Sequence, residues 1–252
     1  MKKFFLLSIC SLLIASCATK KEIIYFQDVE ALNLKEAVSS FEPTIENNDI
    51  LYITVSSLDG AVVKPFQRAA ESGNANLANN NIELTGYLVN STGSINFPVL
   101  GEVMVAGKTR GEIQQFLKEQ LLQYVKDVVI DVRIINFKVT VLGEVAKPGV
   151  YTIRNERVTL PEAIGLAGDL TANGKRSEVT VIREENGQQK VATIDFTKSD
   201  LFNSPFYFLK QNDVVYVTPT IQGVKKSGFI PDVPALLSLF TVVLTSVILL
   251  TN

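Results

Sequence analysis

Cys17, the carboxylates Glu102 and Glu144, the aspartates Asp49 and Asp213, and the hydroxyls of Ser238, Thr241 and Thr245 have the types and spacing to do chemistry or hold a ligand. Cys17 closes Ile14-Ala15-Ser16-Cys17, behind the charged Met1-Lys2-Lys3 and the apolar run FFLLSICSLLIAS. An export leader ending in small residues and a cysteine points to acylation of Cys17 as the first residue of the mature chain; plain secretion is the alternative. Cys10 lies in the discarded leader, so the mature chain has no cysteine pair to oxidise. Glu102 and Glu144 could pair as acid and base, but each precedes a Val in the same turn of a repeated unit, and repetition explains them better. Asp49 and Asp213 each follow an Asn and open a strand, where a side-chain cap on the turn is expected and a metal or sugar ligand is the alternative. The sequence has no His. That removes the commonest general base, His-activated nucleophiles and most zinc sites. The expectation is a non-enzyme with no metal and no cofactor.

The hydroxyl stripe sits on the stretch that organises the chain, Pro234 to Asn252, which carries no charge and no Gly. As an α-helix it is about 28 Å long, close to the hydrocarbon thickness of a bilayer, and is expected to cross a membrane; a buried core helix is the alternative. Ser238, Thr241 and Thr245 follow i, i+3, i+7 on one face, a pattern for close helix packing or for lining a wet path. Cleavage before Cys17 removes Lys2 and Lys3 and takes the formal charge from −2 to −4, the wrong sign for nucleic acid.

Between the two ends, residues 17–40 read as a tether in which Ile23 to Phe26 forms a short strand. Ile50 to Val55 is a strand entered through the polar turn Asn47-Asn48-Asp49, and Ser72 to Asn81 is a polar loop. Leu84–Val89 and Ser94–Phe97 are expected to pair as a hairpin across Ser91-Thr92-Gly93. Val99-Leu100-Gly101-Glu102-Val103 with Gly107 returns as Val141-Leu142-Gly143-Glu144-Val145 with Gly149. Thr109-x-x-Glu112 and Thr159-x-x-Glu162 follow as capping boxes, each opening an amphipathic helix that leads to a strand, Val128–Ile134 or Val179–Ile182. Lys147-Pro148-Gly149 reads as a type II turn with Gly149 at positive φ. Glu185-Asn186-Gly187 reads as the turn of a hairpin between Val179–Arg183 and Gln189–Phe196. Asn212-Asp213-Val214-Val215-Tyr216-Val217 echoes Asn48-Asp49-Ile50-Leu51-Tyr52-Ile53.

Taken in order, these residues resemble the Wza-like polysaccharide export outer-membrane lipoproteins, in a short form with one SLBB (soluble-ligand-binding β-grasp) domain. The resemblance rests on the lipobox at Cys17, the Asn48–Ile53 strand entry, Gly93 to Val103, Lys108 to Glu112, Val141 to Tyr151, Thr159 to Gly168 and Asn212 to Val217. One departure is Glu46-Asn47-Asn48-Asp49, where the family usually has Gly-Pro-Gly-Asp; Asn tolerates the left-handed region such a turn needs. The expected fold class is α+β, two small β-rich domains and a C-terminal transmembrane helix. Its parts are a signal peptide at 1–16, the tether at 17–40, an export domain at 41–135, an SLBB domain at 136–220, a linker at 221–233 and the terminal helix at 234–252. The resemblance implies a ring-shaped homo-oligomer, an octamer by expectation, that conducts capsular or exopolysaccharide through the periplasm and outer membrane. It also implies an outer-membrane lipid anchor and an inner-membrane co-polymerase partner, often a tyrosine autokinase. The competing class is a lipid-anchored periplasmic scaffold that binds a glycan or protein and forms no pore.

Overall fold

Two capped helices and the strands they feed build two hydrophobic cores. The computed structural model describes residues 23–31, 42–67, 85–155, 157–185, 187–221, 223–224 and 233–251. The leader, the lipobox at Cys17 and the Ser72–Asn81 loop lie outside the described residues.

The first core is built on an antiparallel sheet in the order β2-β1-β5, from β1 (Ile50–Ser56), β2 (Tyr87–Leu88) and β5 (Val129–Ile134). A separate ribbon pairs β3 (Ser94–Phe97) with β4 (Gly101–Met104), and α1 (Gly60–Val63) follows β1. Helix α2 (Arg110–Leu121) buries Ile113, Leu117 and Leu121 against Leu51, Val55, Phe97 and Val132. The i, i+4, i+8 spacing of its three apolar residues puts them on one stripe.

The second core backs a five-stranded mixed sheet in the order β10-β9-β12-β6-β7, from β6 (Lys138–Gly143), β7 (Gly149–Thr152), β9 (Gly174–Glu185), β10 (Gln188–Ile194) and β12 (Val214–Pro219). β12 runs parallel to β6, and the other pairings are antiparallel. Helix α3 (Leu160–Leu166) packs behind it, beside the small pair β8 (Val158–Thr159) and β11 (Phe208–Leu209). Period-two alternation sends Val139, Val141, Val179, Val181, Val215 and Val217 inward.

Both capping boxes are formed. Glu112 and Glu162 each take the N–H of their threonine at 2.7 Å, while Thr109 and Thr159 accept from the third helical N–H at 3.3 Å. Thr159→Ala is expected to cost about 1 kcal/mol. Thr109→Ala serves the other core, so the double variant should lose about 2 kcal/mol in urea titration.

Several expectations are corrected. Strand β2 pairs with β1 and β3 with β4, so the 84–97 hairpin splits between two sheets although its turn survives through Gly93 N–H to Asn90 O. Gly149 begins β7 without a positive φ; the left-handed glycine is Gly143, at φ 86°. The repeated Val-Leu-Gly also occupies different places, as the β3–β4 turn in one copy and the end of β6 in the other. Ile23 to Phe26 form no strand. Instead Tyr25 and Phe26 pack on Phe196, and the Phe26 and Gln27 N–H groups donate to Phe196 O and Thr197 O.

The expected fold class is corrected at its C-terminal end. Helix α4 (Val233–Thr251) forms, yet among the described residues no helix is long and apolar enough to cross a membrane. Three of its hydroxyls turn back onto the helix: Thr241 donates to Leu237 O and Ser238 O, Thr245 to Thr241 O at 2.6 Å, and Ser246 to Val242 O at 2.8 Å.

Candidate functional site

Two turns of matching geometry face each other where the two cores meet. Glu46–Asp49 leads into β1, and Lys210–Asp213 leads into β12. Each is closed by the aspartate N–H donating to the first residue's carbonyl at 3.2 Å. Each places an Asn in the left-handed region, Asn48 at φ 69° and Asn212 at φ 63°. In each, the aspartate carboxylate takes the first residue's N–H at 2.8 Å. The side-chain caps expected at Asp49 and Asp213 are therefore present, and Asn supplies the positive φ at a modest steric cost.

The segment between β5 and β6 joins the turns. The Asn136 amide accepts from Ile50 N–H and donates to Asn48 O, at 2.8 and 2.9 Å. The Gln211 amide donates to Asn136 O and accepts from Lys138 N–H, at 3.0 and 2.8 Å. Between the turns lies a cavity of about 210 Å³ whose lining includes Glu46, Asp49, Arg110, Ile134, Phe137 and Lys210.

The two aspartates differ in electrostatics. Both are buried, but Asp213 receives the guanidinium of Arg183, with Nη2 to Oδ2 at 2.7 Å and Nε to Oδ1 at 3.0 Å. Among the described residues Asp49 has no such ion pair, and its Oδ1 has no hydrogen-bond partner. Burial pushes the Asp49 carboxyl up to about 6, against the pull of the Glu46 N–H and with help from the Glu46 charge. Burial also raises Glu46, opposed by Lys210. Hydrogen bonds from Lys190 and Lys210 hold Glu185 down at about 2.

These shifts predict a pH dependence of stability. The native state keeps the Asp49 proton up to about pH 6, whereas the unfolded chain releases it near 3.8. It therefore binds more protons in that window, and stability falls as pH rises through it. Glu185 acts oppositely, but its contribution is complete above 4.5, and the lowered Asp28 and Asp127 are complete above 3.8. Between pH 4.5 and 6 the slope is thus carried by Asp49 and Glu46, and the loss is on the order of 2 kcal/mol. Asp49→Asn should remove most of it in urea titrations across that range.

The other candidate residues are not brought together. Glu102 is exposed on β4 opposite Asn96, while Glu144 accepts from the Thr171 hydroxyl at 2.6 Å. Ser238, Thr241 and Thr245 lie on α4. Among the described residues no group of three or more His, Cys, Asp or Glu side chains is placed to hold a metal. Sequence reasoning missed Arg183 and Asn136. Alternation along Val179, Val181 and Arg183 points Arg183 inward and could have found it; Asn136, in a short connection, carries no such signal.

Comparison with known proteins returns two adjoining matches. The model for "Polysaccharide biosynthesis/export protein" matches residues 38–135, and that for "SLBB domain" matches residues 137–217. The chain is similar to the EPS I polysaccharide export outer membrane protein EpsA of Ralstonia solanacearum, 31% identical over 138 residues. The similarity to EpsA of Ralstonia nicotianae has the same identity and extent. In both cases the match covers 53% of this chain and 36% of the relative.

Proposed function

We propose that this chain, which carries a polysaccharide biosynthesis/export domain over 38–135 and an SLBB domain over 137–217, is a subunit of a passive conduit for capsular or exopolysaccharide. The adjoining matches over 38–217 are the observation that carries the reading, and the likeness to outer-membrane export proteins supports the outer membrane as its place. In this reading Cys17 carries the lipid that holds the chain at the outer membrane, with the folded domains in the periplasm. Identical copies close into a ring, an octamer by expectation, and an inner-membrane co-polymerase of the autokinase kind feeds it. The chain performs no covalent chemistry and needs no cofactor. The cross-linked turns between the two cores support a rigid wall, because a ring that sets a bore cannot let its domains swing. Ser238, Thr241 and Thr245 form a small, neutral face on α4, suited to packing neighbouring copies or to a weakly binding path for a sliding glycan.

The test has two arms. Deleting the gene should remove polysaccharide from the cell surface, and the full chain in mild detergent should run as a closed ring in native mass spectrometry and electron microscopy. Unchanged surface polysaccharide overturns the export reading. A monomer in detergent overturns the conduit in favour of the scaffold.

A further inference from the structure

Tyr25 to Asp28 are clamped to the SLBB domain, not to the export domain that follows them in the chain. The Tyr25 hydroxyl donates to Asp169 Oδ1, and the Arg176 guanidinium lies 5.3 Å from its ring centroid. The Phe26 and Gln27 N–H groups donate to Phe196 O and Thr197 O, at 3.1 and 2.8 Å, and Asp28 Oδ1 takes the Ser199 N–H at 2.6 Å. Phe26 also packs on Phe202, with 5.2 Å between ring centroids. Beside this clamp Ile23, Ile24 and Val29 stay 53%, 41% and 47% exposed. Single exposed apolar side chains are ordinary; three on one short, clamped segment make an edge that calls for a cover.

Covalent reach and the course of the chain point to the cover. Cys17 stands six residues before Ile23, so at about 3.6 Å per residue their α-carbons lie within about 22 Å of each other. β6 and β12 run parallel from the junction with the export domain, at Asn136 and Gln211, toward the end of the sheet that carries Asn173 and Gly174. There Pro219 pairs with Gly174 and the Thr220 N–H donates to Asn173 O at 2.7 Å. From that end the chain departs toward α4, whose Leu239, Phe240, Val242 and Val243 are more than half exposed. Asp169 and Arg176, which hold Tyr25, flank the same short stretch of chain. Two apolar segments thus join the domain at one end. Charges nearby are mixed, Lys175 with Glu178 and Lys198 with Asp195, so an attraction here is apolar and not ionic.

We propose that Ile23, Ile24 and Val29 are a lipid-contacting edge, which seats this end of the SLBB domain directly on the leaflet that holds Cys17. The inference rests on the lipid anchor in the reading above and adds the protein surface that meets the membrane. Through the Tyr25–Asp28 clamp the anchor grips a folded domain instead of a free tether.

The chain has no Trp, so a single introduced Trp supplies all the indole emission. Ile24→Trp, Val29→Trp, Lys198→Trp and Leu58→Trp all fall at exposed positions; Lys198 adjoins Ser199 on the domain itself, and Leu58 is 97% exposed beyond the far end of β1. Each full chain, expressed with its leader and checked for an acyl group by mass spectrometry, is placed in vesicles of phosphatidylethanolamine and phosphatidylglycerol. Part of the phosphatidylethanolamine is brominated high on its acyl chains. Ile24→Trp and Val29→Trp should lose more than half their emission and shift to the blue, Lys198→Trp should be quenched in part, and Leu58→Trp should not change. Salt at about 1 M, where charges are screened beyond about 3 Å, should leave the quenching as it was. An acylated chain with Ile24→Trp and Val29→Trp unquenched overturns this inference alone, and a blue shift without quenching gives the edge to another protein surface, such as a second copy. Quenching at Ile24→Trp with none at Lys198→Trp also overturns it, because only a detached strap would then touch lipid. A chain without an acyl group sinks the anchor; quenching that persists in it upholds the edge, and its loss there sinks both.

Discussion

Gly143→Ala is expected to lower stability by about 5 kcal/mol or more, a large share of what keeps the SLBB domain folded, while Gly101→Ala costs only about 1–2 kcal/mol. The two glycines occupy the same place in the repeated Val-Leu-Gly-Glu-Val and have similar backbones, at φ 86° and 74°. Putting an L side chain in the left-handed region costs each about 1–2 kcal/mol. Their surroundings differ. A Cβ on Gly101 meets nothing within 4 Å, whereas one on Gly143 falls 2.1 Å from the carbonyl oxygen of Val217. That carbonyl is on β12, the parallel neighbour of β6, and it accepts the Glu144 N–H at 3.1 Å. The clash is with backbone, so no rotamer change relieves it; the end of β6 must part from β12, next to the buried Val141 and Val217. A domain of this size has a total stability of about 4–12 kcal/mol. Urea titration of the two variants side by side separates close packing from backbone conformation. Equal losses would show that φ alone governs both sites.

The contrast between these glycines also shows what can be read from the sequence and what cannot. Capping boxes, the Asn-Asp strand entries and the two-residue turn before Gln188 are local: the residues that make them lie within four positions of one another, so their types declare the geometry. Pairing is not local. Tyr87–Leu88 and Ser94–Phe97 look like partners because three turn residues separate them, yet Leu51 and Ile50 outbid that turn for β2. Likewise Gly149 follows a Pro and seems the obvious left-handed position, but the tight approach is at Gly143, set by a strand more than seventy residues away. The candidate site follows the same rule. Asp49 and Asp213 were visible as turn caps; their facing across Asn136, and the cavity between them, exist only once the two cores dock. For α4, composition suggested a membrane span, and length together with apolar character among the described residues does not reach it.

Arg183→Met should cost about 3–5 kcal/mol, the expected result of breaking a buried ion pair from one side. Arg183 is on the inward face of β9 with its side chain 6% exposed, and Asp213 opposite is fully buried. Its guanidinium does more than neutralise a charge. Besides the fork onto Asp213, it donates to Phe208 O at 2.9 Å and Pro205 O at 3.3 Å, and it stacks 4.7 Å from the Phe206 ring centroid. Met fills much of the same volume and keeps apolar contact with Phe206, but it leaves the Asp213 carboxylate with the Lys210 N–H and takes the guanidinium away from the Pro205 and Phe208 carbonyls. A double-mutant cycle apportions the loss. Asp213→Asn keeps the acceptor for the Lys210 N–H and removes the charge, so adding it to Arg183→Met should return part of the stability. Recovery of about 1–2 kcal/mol would assign the difference to the stranded carboxylate. No recovery would place the whole effect in the Pro205 and Phe208 carbonyls and make Arg183 a clamp on the 205–208 loop. Either way the position bears on the cavity: Lys210 and Gln211 belong to the turn that Asp213 closes, so a loosened second turn removes one wall of the Asp49 site while leaving Asp49 itself in place.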